Sequence, residues 1–270
     1  METFTYANGD VYEGDFKDGK RHGKGTLTFS DGCRYDGDFK GDKYDGKGKY
    51  AYADSRLYIG DFKDDKYDGK GQLRCADNSV YIGDFKGNKR HGKGKHTYPT
   101  GEIYEGDWKD DKYDGHGKDS WPDGENYEGE WKEDLRHGKG KFTLANGCMY
   151  EGEWKSDLRH GMGKHKSPDG CEYEGDWKDD KCYGQGKFTY PDGGVYEGEW
   201  QDSKRHGKGK YTCADGSVYE GDWKDNKICS TKGKQYTWLD GSVLLLLTVL
   251  ISGGAILAAA VKYRGNRARR

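Results

Sequence analysis

Tyr127-Glu-Gly-Glu-Trp131-Lys-Glu-Asp-Leu-Arg-His-Gly138-Lys-Gly140-Lys-Phe142 is the clearest copy of a unit that the chain writes ten times. Tyr127, Gly129 and Trp131 alternate with Glu128, Glu130 and Lys132, which is the period of a pleated strand with one aromatic and one charged face. Gly138, Gly140 and Phe142 alternate in the same sense with Lys139 and Lys141, so a second strand follows the first.

Outward from this copy the register does not break. Tyr recurs at 12, 35, 58, 81, 104, 127, 150, 173, 196 and 219, a constant spacing of 23. A glycine lies two residues after each, and four residues after each lies Phe (16, 39, 62, 85) or Trp (108, 131, 154, 177, 200, 223). Within a copy the chain reverses at pairs such as Asp18-Gly19, Asp64-Asp65 and Asp179-Asp180. Between copies it reverses at Asn8-Gly9, Asp31-Gly32, Asn146-Gly147 and their equivalents, the strongest short-range hairpin signal. Asp54-Ser55 and Asp77-Asn78 lack the glycine, so looser turns are expected there. The reading is all-β: an extended, twisted single-layer antiparallel sheet of about ten hairpin repeats in sequence order. Its strands, at ~4.8 Å spacing, would make a ribbon on the order of 95 Å long.

Composition agrees with a repeat and excludes an ordinary globular core. The 270 residues include 45 Gly and 22 Tyr, with 35% charged against 31% hydrophobic residues. Aliphatics are too few to fill a core, but in a repeat each unit covers only its neighbour. Glycine weakens a strand interior. Paired glycines opposite Tyr and Trp let the rings lie across bare backbone, which makes the aromatic face self-covering. Lys, Asp and Glu on the other face form cross-strand ladders.

The formal net charge of −2 divides into +5 on the tail (Lys262, Arg264, Arg267, Arg269, Arg270) and −7 on everything before it. A mildly acidic body lacks the basic footprint that nucleic acid requires. The seven cysteines are scattered without a C-x-x-C pair, as expected of a reducing compartment. Cys148 and Cys171 sit two strands apart, too far for a disulfide. His22, His91, His137, His160 and His206 share one repeat position, also about 10 Å from copy to copy, which a shared metal does not permit. No singular catalytic constellation stands out from the periodic background, so neither an enzyme nor a cofactor is expected.

The tenth copy departs from the pattern: Ile228-Cys-Ser-Thr-Lys-Gly233 replaces the usual Arg-His-Gly-Lys-Gly. It leads into Val243–Val261, an uncharged apolar run whose helix would be about 28 Å long and match a bilayer core. The expected organisation is therefore a repeat array over 1–242 (degenerate from about 224), a transmembrane helix over 243–261 and a basic tail over 262–270. The N-terminus has neither the basic flank nor the apolar stretch of a secretory signal. A tail anchor with the repeats facing the cytosol follows, at the mitochondrial outer membrane, peroxisome or endoplasmic reticulum. Gly254 and Ala258 offer a small-residue helix contact, hence a homodimer.

The unit Tyr-Glu-Gly-Glu-Trp-Lys…Gly-Lys-Gly at this period resembles the MORN repeat (membrane occupation and recognition nexus), over about residues 4–241. The resemblance implies an open curved sheet with an aromatic-lined groove, serving as a scaffold for partner helices, dimers or membranes. The array followed by an anchor is similar in layout to the junctophilins, which link two membranes, although this chain has no long segment between the two. The aromatic stripe is the expected partner-binding groove, best lined where Trp replaces Phe: Tyr104, Trp108, Tyr127, Trp131, Tyr150, Trp154, Tyr173, Trp177, Tyr196, Trp200, Tyr219 and Trp223. The expected function is a membrane-anchored, non-enzymatic scaffold binding a partner protein, such as an apolar helix. The alternative is a lipid-binding tether between two membranes, which the −7 body disfavours.

Overall fold

The computed structural model describes residues 2–231, which form strands joined by tight turns, with no helix among them. The chain divides into two compact units, Met1–Asp134 and Leu135–Arg270. The first holds β1 (Glu2–Thr5), β2 (Val11–Lys17), β3 (Lys20–Thr28), β4 (Arg34–Lys40), β5 (Lys43–Ala51), β6 (Leu57–Lys63), β7 (Lys66–Arg74), β8 (Val80–Lys86), β9 (Lys89–Thr97), β10 (Ile103–Lys109), β11 (Lys112–Ser120) and β12 (Asn126–Lys132). The second holds β13 (Leu135–Thr143), β14 (Met149–Lys155), β15 (Leu158–Lys166), β16 (Glu172–Lys178), β17 (Lys181–Thr189), β18 (Val195–Gln201), β19 (Lys204–Thr212), β20 (Val218–Lys224) and β21 (Lys227–Thr231). Within each unit every strand pairs antiparallel with the next in sequence.

Two turn types alternate. Within a copy both turn residues are left-handed, as at Asp64 (φ 48°) and Asp65 (φ 65°), the type I′ turn that suits the strand twist. Most of these pairs contain no glycine, although left-handed backbone costs roughly 1 kcal/mol for an ordinary residue. The second turn residue recovers this cost: Asp65 accepts the Tyr44 N–H through Oδ1 at 2.8 Å, and its own N–H donates to the Tyr44 carbonyl at 3.1 Å. Between copies a single left-handed residue closes a three-residue loop, as where the Gly9 N–H donates to the Tyr6 carbonyl at 3.0 Å. The turns expected to be looser are not. Ser55 (φ 73°) and Asn78 (φ 68°) take the glycine's conformation, and their N–H groups donate to Tyr52 and Cys75 at 3.2 and 3.0 Å. A short polar side chain is tolerated in this region, so the turn keeps its form.

Each within-copy hairpin that lies inside one unit is also bulged. In β4–β5, Gly37 faces Gly48 but Phe39 faces Tyr44, so the register slips beside Asp38. Asp38 bridges the irregularity: Oδ2 accepts the Lys47 N–H at 2.9 Å, while Oδ1 meets Lys24 Nζ of the preceding copy at 2.7 Å. The carboxylates read as a charge ladder therefore also satisfy backbone donors that the bulge frees.

No described helix is long and apolar enough to cross a membrane. The expected anchor over 243–261, with Gly254 and Ala258, and the basic tail lie outside the described residues.

Candidate protein-binding faces

The aromatic face is built by a side chain crossing two glycines. Tyr104 leans along β10 so that its ring covers Gly106 and the facing Gly117, and its hydroxyl donates to the Asp107 carbonyl at 2.9 Å. A Cβ on Gly117 would lie 2.3 Å from that hydroxyl oxygen, so no side chain fits. The Trp of each copy then packs edge-on to its Tyr, as in Tyr104–Trp108 at 5.2 Å and 88°. Its indole N–H donates back to the preceding copy, Trp108 to Gly94 and Trp131 to Gly117, both at 3.1 Å. Phe16, Phe39, Phe62 and Phe85 carry no such donor.

A third layer lies over the stripe, in a column that the alternation of each strand does not mark. Nine residues after each Tyr stands Arg (21, 90, 136, 159, 205) or Tyr (44, 67, 113), with Cys182 and Ile228 as exceptions. These planar groups lie over the rings below. Tyr113 stacks on Tyr104 at 3.5 Å and 4°, and the Arg159 guanidinium sits 4.2 Å above Trp177 of the next copy. Arg159 is 1% exposed and Arg205 2%, burial that an arginine reaches only when paired. The pairing is to the next copy's turn: Arg159 Nε donates to Asp180 Oδ1 at 3.1 Å and Nη2 to the Asp180 carbonyl at 2.7 Å. The signal was a column alternating between two flat side chains, legible only once stacking is suspected.

Of the twelve expected groove residues, eleven are buried at 0–7% exposure and Tyr219 is half-buried. The stripe runs through each unit as expected, but the planar Arg and Tyr groups and the neighbouring rings cover it. The aromatic face opens elsewhere, over the first copies. There a cavity of about 710 Å³ is lined by Phe4, Tyr6, Phe16, Phe29, Arg21 and Tyr44, with Asp10, Asp42 and Asp65 among its polar groups. Phe4 is 51% exposed, and Phe16 is half-buried where the equivalent Phe39 is 2% exposed under Arg21.

Titratable groups beneath this face are held neutral. Burial pushes the Tyr58 and Tyr150 phenols and the Cys148 thiol up. Cys148 Sγ lies 3.0 Å from His165 Nε2. Burial pushes His96 and His165 down to about 4, with Arg90 and Arg159 respectively adding to the effect. An imidazole whose folded value is lowered contributes stability that is fully present above the unfolded value, ~6.5, and lost as pH falls through the folded one. The unfolding free energy is therefore expected to drop between pH 6.5 and 4, by on the order of 2 kcal/mol per histidine. Replacing both by Phe, the residue at the equivalent position 142, should flatten that part of the pH profile; an unchanged profile would assign it to other groups.

His22, His91, His137, His160 and His206 are half-buried, and among the described residues no three His, Cys, Asp or Glu side chains are disposed to hold a metal. The polar face carries cross-strand ion pairs such as Lys70–Asp84 at 2.9 Å and Lys93–Asp107 at 2.7 Å, exposed enough to be worth under about 1 kcal/mol each.

Stacked hairpins that cover one another through a recurring Tyr-Gly-Trp stripe define a β-repeat scaffold, a class whose binding surfaces are faces rather than a single cleft. The MORN repeat pattern matches ten consecutive segments, at residues 12–34, 35–55, 58–80, 81–103, 104–125, 127–149, 150–172, 173–195, 196–218 and 219–230. The chain belongs to the MORN-repeat family. No curated protein matches it. Among solved structures it is similar to the TCP10 domain of Danio rerio CPAP, at 14% identity and TM-score 0.35, covering 82% of this chain and 94% of that one. It is also similar to the TCP domain of Drosophila melanogaster SAS-4 in complex with a proline-rich motif of Ana2, at 10% identity and TM-score 0.29, covering 83% and 90%. Virginiamycin B lyase from Staphylococcus aureus matches at 8% identity and TM-score 0.16, covering 82% and 83%. Likeness at these scores carries no functional argument.

Proposed function

We propose that this chain is a non-enzymatic scaffold that captures a partner protein on its aromatic face and is held at an organelle membrane by residues 243–261. The observation that carries the reading is the open aromatic cleft over Phe4, Phe16 and Phe29, since exposed apolar surface of this kind marks contact sites. Of the twelve rings in copies five to ten, the eleven buried ones act within each unit as rigid packing under neighbouring groups, not as contact surface. Rigidity lowers the entropy lost on binding. The membrane element rests on the apolar run alone.

The test is cross-linking of the full chain in cells, comparing the natural protein with a Phe4→Ser, Phe16→Ser variant. The variant is expected to lose the captured polypeptide; Phe16 is half-buried against Tyr12, so Phe4→Ser alone, at a ring 51% exposed, is the control whose unfolding free energy should stay within about 1 kcal/mol of the natural protein. Equal capture by both would overturn the aromatic-face reading. Trp154→Ala with Trp177→Ala is the poorer test, because deleting buried indoles costs about 3–5 kcal/mol each and weakens capture through unfolding.

A further inference from the structure

On the face opposite the aromatic stripe of the first unit, side chains line up in rows across the strands. One row reads Glu13, Thr26, Asp36, Lys49, Ile59, Gln72, Ile82, Lys95, Glu105, Lys118, Glu128 by successive cross-strand pairing. At 59 and 82 isoleucine stands where the equivalent positions 13, 105 and 128 carry glutamate, and these side chains are 47% and 55% exposed. The parallel row beside it reads Leu57, Arg74, Val80, with Arg74 exposed and the other two half-exposed. Four aliphatic groups thus surround Gln72 and Arg74, and Lys49 and Lys95 flank them. Lys49 and Arg74 make no ion pair among the described residues, and Lys95 reaches Glu105 only at 3.8 Å. From Ile82 the surface continues as a trough of about 650 Å³ past Lys95, Glu105, Lys118 and Glu128.

We infer that this block is a docking site for an acidic amphipathic helix of a partner protein, laid across the strands. Spacing selects the helix. Ile59 and Ile82 are two strands apart, about 10 Å, which matches the ~10.5 Å between residues i and i+7 on one helix face. The two rows lie about 7 Å apart along the strands, a width that a helix of ~10 Å diameter covers. Charge selects acidity: Arg74 stands among the four aliphatic groups with Lys49 and Lys95 at their edges, and the nearest carboxylates of the row, Asp36 and Glu105, lie beyond those two lysines. A second copy presenting the same block would set these cations against each other. The chain's basic tail is repelled, and its uncharged apolar run leaves the cations unpaired. For a flat anionic membrane the next row, Lys47, Asp61, Lys70 and Asp84, is closed by its own ion pairs and adds no net positive charge. The site does not rest on the aromatic-face reading, which concerns the other side of the sheet.

The probe is a synthetic acetylated helix about five turns long, with leucine at i, i+4, i+7 and i+11 and glutamate on its flanks. Titration against the full chain is expected to show saturable binding. Ile59→Glu with Ile82→Glu, which restores the residue found in other copies and so keeps the fold, should weaken binding about tenfold or more. Lys49→Glu with Arg74→Glu should weaken it comparably, and a probe carrying lysine for glutamate should bind that variant better than the natural chain. Equal binding to the natural chain and both variants would overturn the site. Variant-sensitive binding to phosphatidylserine vesicles in place of the peptide would assign the block to lipid, and a concentration-dependent dimer abolished by Ile82→Glu would assign it to a second copy; either outcome overturns the helix.

Discussion

Gly117→Ala is expected to break the sheet locally around β10 and β11, with a loss of about 3 kcal/mol or more. The added Cβ would stand 2.3, 2.5 and 2.7 Å from Oη, Cζ and Cε2 of Tyr104. That ring cannot give way. Its hydroxyl is bonded to the Asp107 carbonyl at 2.9 Å, Trp108 packs against its edge at 5.2 Å, and Tyr113 lies flat on it at 3.5 Å. In a repeat array the damage should stay near the insult, since each unit rests on its neighbours. Hydrogen-exchange protection is therefore the better readout, with amides of β10 and β11 losing protection before those of β2 and β3. A double-mutant cycle isolates the cause: in a Tyr104→Ala background the same Gly117→Ala change should cost far less. Additive costs would show that the clash with Tyr104 is not what excludes a side chain.

Arg159→Ala is expected to cost about 3–5 kcal/mol in the second unit, the scale for breaking a buried charge pair. Alanine uncovers the Trp177 and Tyr150 rings and leaves Asp180, whose side chain is 12% exposed, without its cation. The informative comparison is among replacements. Arg159→Tyr should retain much of the stability, because Tyr44, Tyr67 and Tyr113 fill the equivalent place by stacking and Tyr44 still donates its N–H to Asp65. Arg159→Lys should retain less despite keeping the charge, since an ammonium cannot stack or grip both Asp180 acceptors in a fork. Chemical denaturation followed by near-ultraviolet circular dichroism of the tryptophans reads both effects; Lys outperforming Tyr would mean that charge, not planarity, is what the position requires.

The strands, their faces and the places of the turns were legible because they depend on neighbours in sequence. Tyr12, Gly14 and Phe16 alternate with charge whatever lies beside them. The paired glycines also pointed to rings across bare backbone, which Tyr104 over Gly106 and Gly117 displays. The turn at Asp54-Ser55 keeps its form without glycine because a short polar residue such as Ser55 also takes the left-handed conformation. The double role of Asp38 was hidden, since its backbone partner at Lys47 appears only when the hairpin bulges.

Accessibility was the larger gap. Trp154 and Trp177 read as groove-lining residues, yet they are 2% and 5% exposed because Arg136 and Arg159 lie over them at 4.3 and 4.2 Å. That cover joins residues 18 apart in sequence and on different strands, and it is clipped in place by a turn 21 residues further on. Sequence alone determined the repeat, its two-faced strands and its self-covering aromatic stripe, because local alternation and a constant period encode them directly. Only the tertiary structure decided which parts of those faces remain open, because exposure is set by what neighbouring copies lay on top, and that depends on cross-strand register rather than on the pattern within any one copy.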